Sequence, residues 1–285
     1  MKLDEGYFKG QYGKKLFYKR WMPDGESKAV VFVVHGILEH TGRYENVVNA
    51  LVPNGIQVIG FDLPGHGKSE GHRMYVKNLD EFLQDVEVFL NHFKEDVSNL
   101  NKFLLGHSLG AVIVLNYLGD SKFSAYKGFK GVILSGFGPK TGPDVKGITK
   151  FLARIFSVIL PKIHIPSGAD ANGLSRDPEV VKAYVEDPYV FNMKVTPRLA
   201  NVSIKGTSTA KDAALKIDPT LPILFQYGSD DLIFDQESRK PFFDSLPTKD
   251  KEIKIYENYR HEIYNEINKE IPLNDLKEWI LKHNK

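Results

Sequence analysis

Short runs that stay apolar on consecutive residues recur along this chain, each followed by a stretch with helical spacing. The runs are 29–34, 56–61, 103–105, 132–134, 223–227 and 253–256. A strand wetted on one face alternates apolar with polar residues. A run that is apolar throughout is covered on both faces, which predicts a mostly parallel sheet. Between the runs, Leu79, Phe82, Leu83, Val86, Phe89, Leu90 and Phe93 recur at helical spacing, as do Leu273, Leu276, Ile280 and His283 after Pro272. Strands alternating with helices predict an α/β fold. Phe8, Leu16, Phe17 and Tyr18 predict an antiparallel edge hairpin ahead of it. The alternation breaks between about Pro139 and Ile217, where helical patterns stand without a comparable strand run. The expected division is a core of 1–138 and 218–285 with a helical cap inserted at 139–217. Such a cap would cover the carboxyl ends of the strands, where open α/β sheets place their sites.

With 285 residues the chain suits one large domain carrying an insertion. It buries about three quarters of its unfolded surface and needs no staples. It contains no cysteine, which excludes disulfides, thiolate metal sites and a cysteine nucleophile, and fits a reducing compartment. The formal charge is +2, and no basic block with interleaved aromatics occurs, so no nucleic-acid partner is expected. Asp4 and Glu5 stand where a signal peptide would be apolar, and no apolar stretch approaches the ~20 residues of a membrane span. The expectation is a cytoplasmic protein. No repeat of fixed period is present.

The strongest local signal is Gly106-His107-Ser108-Leu109-Gly110, a G-x-S-x-G pattern between the run at 103–105 and a helix-compatible run at 111–118. Strand, sharp turn and helix are the geometry of a nucleophile elbow, with glycines letting the turn close. The rival reading is a serine that caps a helix. A serine hydroxyl needs a base, and the base needs an orienting acid, in chain order Ser, acid, His. Asp230 or Asp231 follows the run at 223–227, and His261 follows the run at 253–256. Adjacent side chains on an extended segment point opposite ways, so only one of the two aspartates can face the histidine and the other is solvated or caps a helix. His261-Glu262 opens an H-E pair, but position 265 is Asn, so the zinc motif H-E-x-x-H fails. An oxyanion hole needs two backbone N–H groups. One is expected from Leu109 and the other from the loop His35-Gly36-Ile37-Leu38. The loop 62–69 ends in Gly67-Lys68-Ser69 like a phosphate loop, but Asp62 stands where that motif needs glycine, so a structural turn is expected.

These residues resemble the serine α/β-hydrolases, and within them the monoacylglycerol lipase and lysophospholipase group. His35 to Tyr44 is similar to that group's H-G-x-x-E-H-S-x-R-Y segment, with Thr41 in place of serine. Asp62 to Gly71 is similar to its D-x-x-G-H-G-x-S-x-G loop, and Leu174 to Val180 with Tyr184 and Asp187-Pro188 to its cap segment. The resemblance implies Ser108 as nucleophile, Asp231 as orienter through the pattern G-S-x-D, and His261 as base. It implies oxyanion donors at the Ile37 and Leu109 N–H groups. It puts Arg43 and Tyr184, and Glu39 with them, near a glycerol head group. The chain departs from the pattern at Ala111, at Ile37 and at Tyr264, which stands where some members carry a histidine near the head group.

Within the expected cap, Ile148, Leu152, Ile155, Phe156, Ile159 and Ile163 form an apolar helical stripe ahead of and around Pro161. The stripe either packs onto the core or lines an acyl tunnel, which makes Ile155 and Ile159 candidates for substrate contact. Phe151 and Val158 lie on a second apolar face, which leaves room for transient contact with a membrane or micelle. The function expected is cleavage of monoacylglycerols, or similar single-chain acyl esters, through an acyl-enzyme. The chemistry requires no metal or cofactor. The same machinery could serve a lysophospholipid, a thioester, another ester or a peptide N-terminus. An inactive ligand-binding module is the alternative of a different class.

Overall fold

The structure is a computed structural model that describes residues 1–123, 128–142 and 154–285. The hairpin comprises β1 (Lys2–Lys9) and β2 (Lys15–Met22). The apolar runs become β3 (Ala29–Val34), β4 (Ile56–Phe61), β5 (Asn101–His107) and β6 (Phe129–Ser135). After a separate two-residue pair, β7 (Ile165–Pro166) and β8 (Lys194–Val195), come β9 (Ile223–Gly228) and β10 (Lys251–Tyr256). One 8-stranded sheet runs in the order β1-β2-β4-β3-β5-β6-β9-β10. β1 and β2 are antiparallel to their neighbours, and every pairing from β4 to β10 is parallel.

β3 is buried at all its positions because both faces are covered. Val30, Phe32 and Val34 join one apolar cluster, and Ala29, Val31 and Val33 join the other. The first cluster takes α2 (Leu79–His92) and α3 (Leu109–Gly119), and the second takes α1 (Glu45–Leu51) and the C-terminal α7 (Glu270–His283). Each fully buried Val, Leu or Phe contributes ~1.5–3 kcal/mol relative to exposure. β3 leads to β4 on one side and has β5 on the other, so the chain direction across the sheet reverses at β3. Such a switch point opens a crevice at the carboxyl ends of the two strands. Val34 is in register with Gly106, so the loops starting at His35 and Ser108 leave the sheet side by side.

The segment between β6 and β9 is inserted between two adjacent strands. It contains α4 (Pro178–Glu186) and α5 (Pro197–Ala214). α5 differs from the expectation of a cap element. It packs on α3, with Asn116 Nδ2 donating to the Gly206 carbonyl at 3.0 Å and Thr209 donating to Asn116 Oδ1 at 2.7 Å. Gly206, Ala210 and Ala214 are the small residues that permit this approach. Of the predicted stripe, Ile148 and Leu152, with Phe151 of the second face, lie outside the described residues. Residues 154–159 are helical, yet Ile155 and Ile159 are 36% and 67% exposed and Phe156 and Ile163 are exposed too. The helix turns Ser157 inward instead, so these residues do not pack onto the core as expected. Among the described residues no helix is long and apolar enough to cross a membrane.

Candidate active site

The turn between β5 and α3 is built by what its residues lack. A Cβ on Gly106 would sit 2.7 Å from the Ala111 Cα, and one on Gly110 would run into the Val34 carbonyl. Ser108 stands at the apex with φ 51° and ψ −117°, a region that costs a non-glycine residue ~1–3 kcal/mol. Its N–H donates to the Ser135 carbonyl at 2.9 Å, and its own carbonyl accepts from Ala111 and Val112 at the start of α3. The side chain makes no capping bond, so the helix-cap reading does not hold.

The two aspartates follow β9. Asp231 Oδ1 accepts the Ile233 N–H at 2.9 Å, and Oδ2 accepts from His261 Nδ1 at 2.9 Å. Asp230 is exposed and takes a bond from the Ser229 hydroxyl, as the alternation of side chains requires. Burial would raise the Asp231 carboxyl, but His261 and Arg239 beside it hold it well below the usual carboxylate range. With Nδ1 donating to the carboxylate, His261 Nε2 is the free base position. The backbone of this loop is held by the inserted segment, the His261 N–H donating to the Gly173 carbonyl at 3.4 Å and the Glu262 N–H to Leu174 at 2.8 Å. The His107 ring, beside Ser108 in the chain, lies 4.8 Å from the His261 ring. Burial, and then His261, push the His107 imidazole down to about 3. Among the described residues no hydrogen bond joins the Ser108 hydroxyl to His261, a contact that in unliganded enzymes often closes only with substrate.

The loop after β3 lies against the elbow. A Cβ on Gly36 would be 3.0 Å from the Ser108 Cβ. His35 Nδ1 lies 2.7 Å from the Gly36 carbonyl, while Nε2 accepts the Leu63 N–H at 2.9 Å. Nε2 accepts, so the proton is on Nδ1, and burial pushes this imidazole well below its ordinary range. The bond pins the Gly36–Ile37 peptide by its oxygen and turns the Ile37 N–H the opposite way. Among the described residues neither the Ile37 nor the Leu109 N–H donates to a protein group. Leu38 takes φ 57° to let the loop bend.

Arg43, Tyr184 and Glu39 come into one neighbourhood, each held by protein groups. Arg43 Nη2 donates to Glu262 Oε2 at 2.6 Å and its guanidinium lies 4.6 Å over the Tyr184 ring. Glu39 accepts from the Gly36 N–H and, at 3.1 Å, from the Tyr44 hydroxyl. Glu39, Arg43, Tyr44, His107 and Glu262 line one cavity. Burial, and then the Glu262 carboxylate, push Glu39 up to about 7. Burial also opposes ionisation of Glu262, but Arg43 and Asn265 hold it below its ordinary value. Tyr264 also lines this cavity, but its hydroxyl is turned into the core, donating to Gln226 Oε1 at 2.5 Å. In the loop after β4, Asp62 accepts the Thr41 and Lys68 N–H groups, which makes it the structural turn expected.

Sequence reasoning missed two residues. In the sequence Glu262 stands out only as part of a failed zinc motif. Arg239, fully buried against Asp231, looks in sequence like any charged residue in the first turn of a helix.

The serine aminopeptidase S33 family profile (Hydrolase_4) matches residues 25–268. A monoacylglycerol lipase of Mycolicibacterium smegmatis is 32% identical over 281 residues, covering 98% of this chain and 97% of that protein. The crystal structure of Paleococcus ferrophilus monoacylglycerol lipase aligns with a TM-score of 0.81 at 29% identity, over 94% of this chain and 99% of that one. A soluble variant of monoglyceride lipase from Saccharomyces cerevisiae, in complex with a substrate analogue, aligns with a TM-score of 0.89 at 25% identity, over 100% and 96%. With that match spanning most of its length, this α/β-hydrolase chain belongs to the serine aminopeptidase S33 family.

Proposed function

We propose that this chain is a serine carboxylic ester hydrolase that cleaves monoacylglycerols to fatty acid and glycerol. The observation that carries the proposal is the 2.9 Å bond from His261 Nδ1 to buried Asp231 at the same end of the sheet as Ser108 on its strained elbow. Relatives named for monoacylglycerol or monoglyceride hydrolysis, alignable over nearly the whole chain, support the substrate class. His261 Nε2 takes the proton as Ser108 Oγ attacks the acyl carbonyl. The carbonyl oxygen becomes an oxyanion facing the Ile37 and Leu109 N–H groups. His261 then gives its proton to the departing glycerol oxygen. Water, deprotonated by His261, attacks the acyl-enzyme and releases the fatty acid.

Glu39 serves this scheme by holding the oxyanion loop through the Gly36 N–H, rather than by direct contact with glycerol. Arg43 and Tyr184 form the wall at the head-group end. Residues 139–217 contribute the cap, except that α5 belongs to the flanking layer. Ile155 and Ile159, exposed as they are, belong with Val158 and Leu160 to a surface that meets a micelle or membrane, not to an enclosed tunnel wall. The test is one panel of monoacylglycerols, lysophospholipids, p-nitrophenyl esters and aminoacyl anilides, with Ser108→Ala as control. Monoacylglycerols with the highest kcat/KM, and no turnover by the variant, are expected. Preference for lysophospholipid or anilide would overturn the substrate class, and turnover by the variant would overturn the nucleophile.

A further inference from the structure

Arg239 has no part in the scheme above, yet it touches the acid of that scheme. It is the first residue of α6 (Arg239–Ser245), and its side chain is fully buried. Burying a guanidinium is costly unless it is paired. Its Nη2 donates to Asp231 Oδ2 at 2.6 Å, the same oxygen that His261 Nδ1 reaches at 2.9 Å. The rest of the group is poorly served: Nη1 reaches the Gly228 carbonyl only at 3.5 Å, and Nε has no partner. The plane stacks on Tyr227, 4.5 Å from the ring. The strong bond of this arginine therefore goes to the acid.

Holding the carboxylate in place does not by itself require a charge, because Ile233 N–H already fixes Oδ1. A guanidinium on Oδ2 does something a neutral donor would not. It takes up part of the negative charge that would otherwise stabilise a protonated His261. We propose that Arg239 is a positioning residue of the Ser108–His261–Asp231 relay, sharing the oxygen that orients the imidazole and thereby extending the activity of the base to lower pH. The proposal rests on the triad reading above.

The other groups facing His261 do not supply this effect. Phe234 is apolar and 6.2 Å away. His107, from the elbow, is kept neutral by burial. Glu262, from the same loop as His261, is paired with Arg43 from the turn after β3. Asp231 and Arg239 are the charges in direct line with the imidazole. Without the arginine charge, the imidazolium gains the whole carboxylate, and the base becomes protonated at higher pH.

The experiment is the pH dependence of kcat/KM on a soluble p-nitrophenyl butyrate for the wild type, Arg239→Met, Arg239→Gln and Arg239→Lys, with folding followed by circular dichroism. In the two neutral variants the acid limb should move up by about one pH unit, because a like charge that disfavours the imidazolium has been removed from its carboxylate partner. Below the wild-type limb they should lose about tenfold beyond any loss on the plateau. Arg239→Lys keeps a positive charge and should keep the limb closer to the wild type than either neutral variant does. A folded neutral variant with an unmoved limb, whatever its plateau, overturns the proposal. If neither neutral variant folds, Arg239→Lys decides, and a limb displaced by a full unit overturns it. Fluorophosphonate labelling separates this from the triad reading. A wild type unlabelled at Ser108 sinks that reading, while labelled protein with an unmoved limb sinks only the role of Arg239.

Discussion

Helix α3 and the stretch 154–163 are both rich in aliphatic side chains, and they meet opposite fates. From Leu109 to Tyr117 every residue of α3 is buried, between the sheet on one side and α5 on the other. In the second stretch Val158 is 71% exposed and Leu160 44%. The difference lies in what stands opposite. α3 meets Gly206 and Ala210, small enough for a second helix to close over it, whereas residues 154–163 turn only Ser157 inward. An apolar helix therefore announces that something covers it without saying what. In α3 the cover is the protein itself, which makes a rigid base for Ser108. For the second stretch the proposed cover is the substrate's own lipid phase.

The comparison can be broken first at α3. Ser108→Ala should lower kcat on soluble and micellar esters alike by about 10⁵-fold or more. Unequal loss on the two would mean that the second stretch has chemistry of its own. Gly110→Ala drives a methyl into the Val34 carbonyl and should lower the melting temperature by several degrees, about 2–4 °C for each kcal/mol lost in a chain of this size. Thermal unfolding unchanged by that substitution would show that the elbow relaxes freely. At the other region, Val158→Ser with Leu160→Ser should leave stability within about 0.5 kcal/mol and soluble-ester hydrolysis unchanged. Turnover of micellar monoacylglycerol should drop several-fold, since two apolar contacts are lost. Equal losses on both substrates would count against lipid contact.

The last effect is one of pH. His66 and His107 are buried, and burial pushes them down to about 4 and about 3. Unfolded, each takes a proton near 6.5. Between those values the unfolded chain binds more protons, so their contribution to stability is present above about 6.5 and is lost as pH falls. Each contributes a slope of up to about 1.4 kcal/mol per pH unit. His66→Gln should flatten the fall in melting temperature between pH 6.5 and 4. A slope the same as the wild type would mean that His66 Nε2 finds an acceptor for its proton, besides the Pro64 carbonyl that already faces Nδ1.

Much of this was legible. β3 and β4 were readable to the residue because a strand covered on both faces cannot hide its pattern. The elbow was readable because Gly106 and Gly110 are imposed by backbone contact. Choosing Asp231 over Asp230 needed the family pattern, since alternation says only that the two diverge. Arg239 was not legible. Its neighbours Glu237 and Lys240 are exposed, and nothing local says that the side chain between them folds back to an acid of the preceding loop. The fate of Ile155 and Ile159 was not legible either, because periodicity describes a helix face and not the surface it meets. Nor was the partner of Tyr264 legible: its hydroxyl answers Gln226 in the core, a long-range contact that no spacing reveals.

The covalent intermediate tests the central claim most directly. Wild-type protein mixed with a p-nitrophenyl acyl ester, quenched in acid within the first turnover and digested, should yield a peptide containing Ser108 heavier by one acyl group. The same treatment of Ser108→Ala should yield none. An acyl group found on another side chain, or undiminished hydrolysis by the alanine variant, would contradict the account.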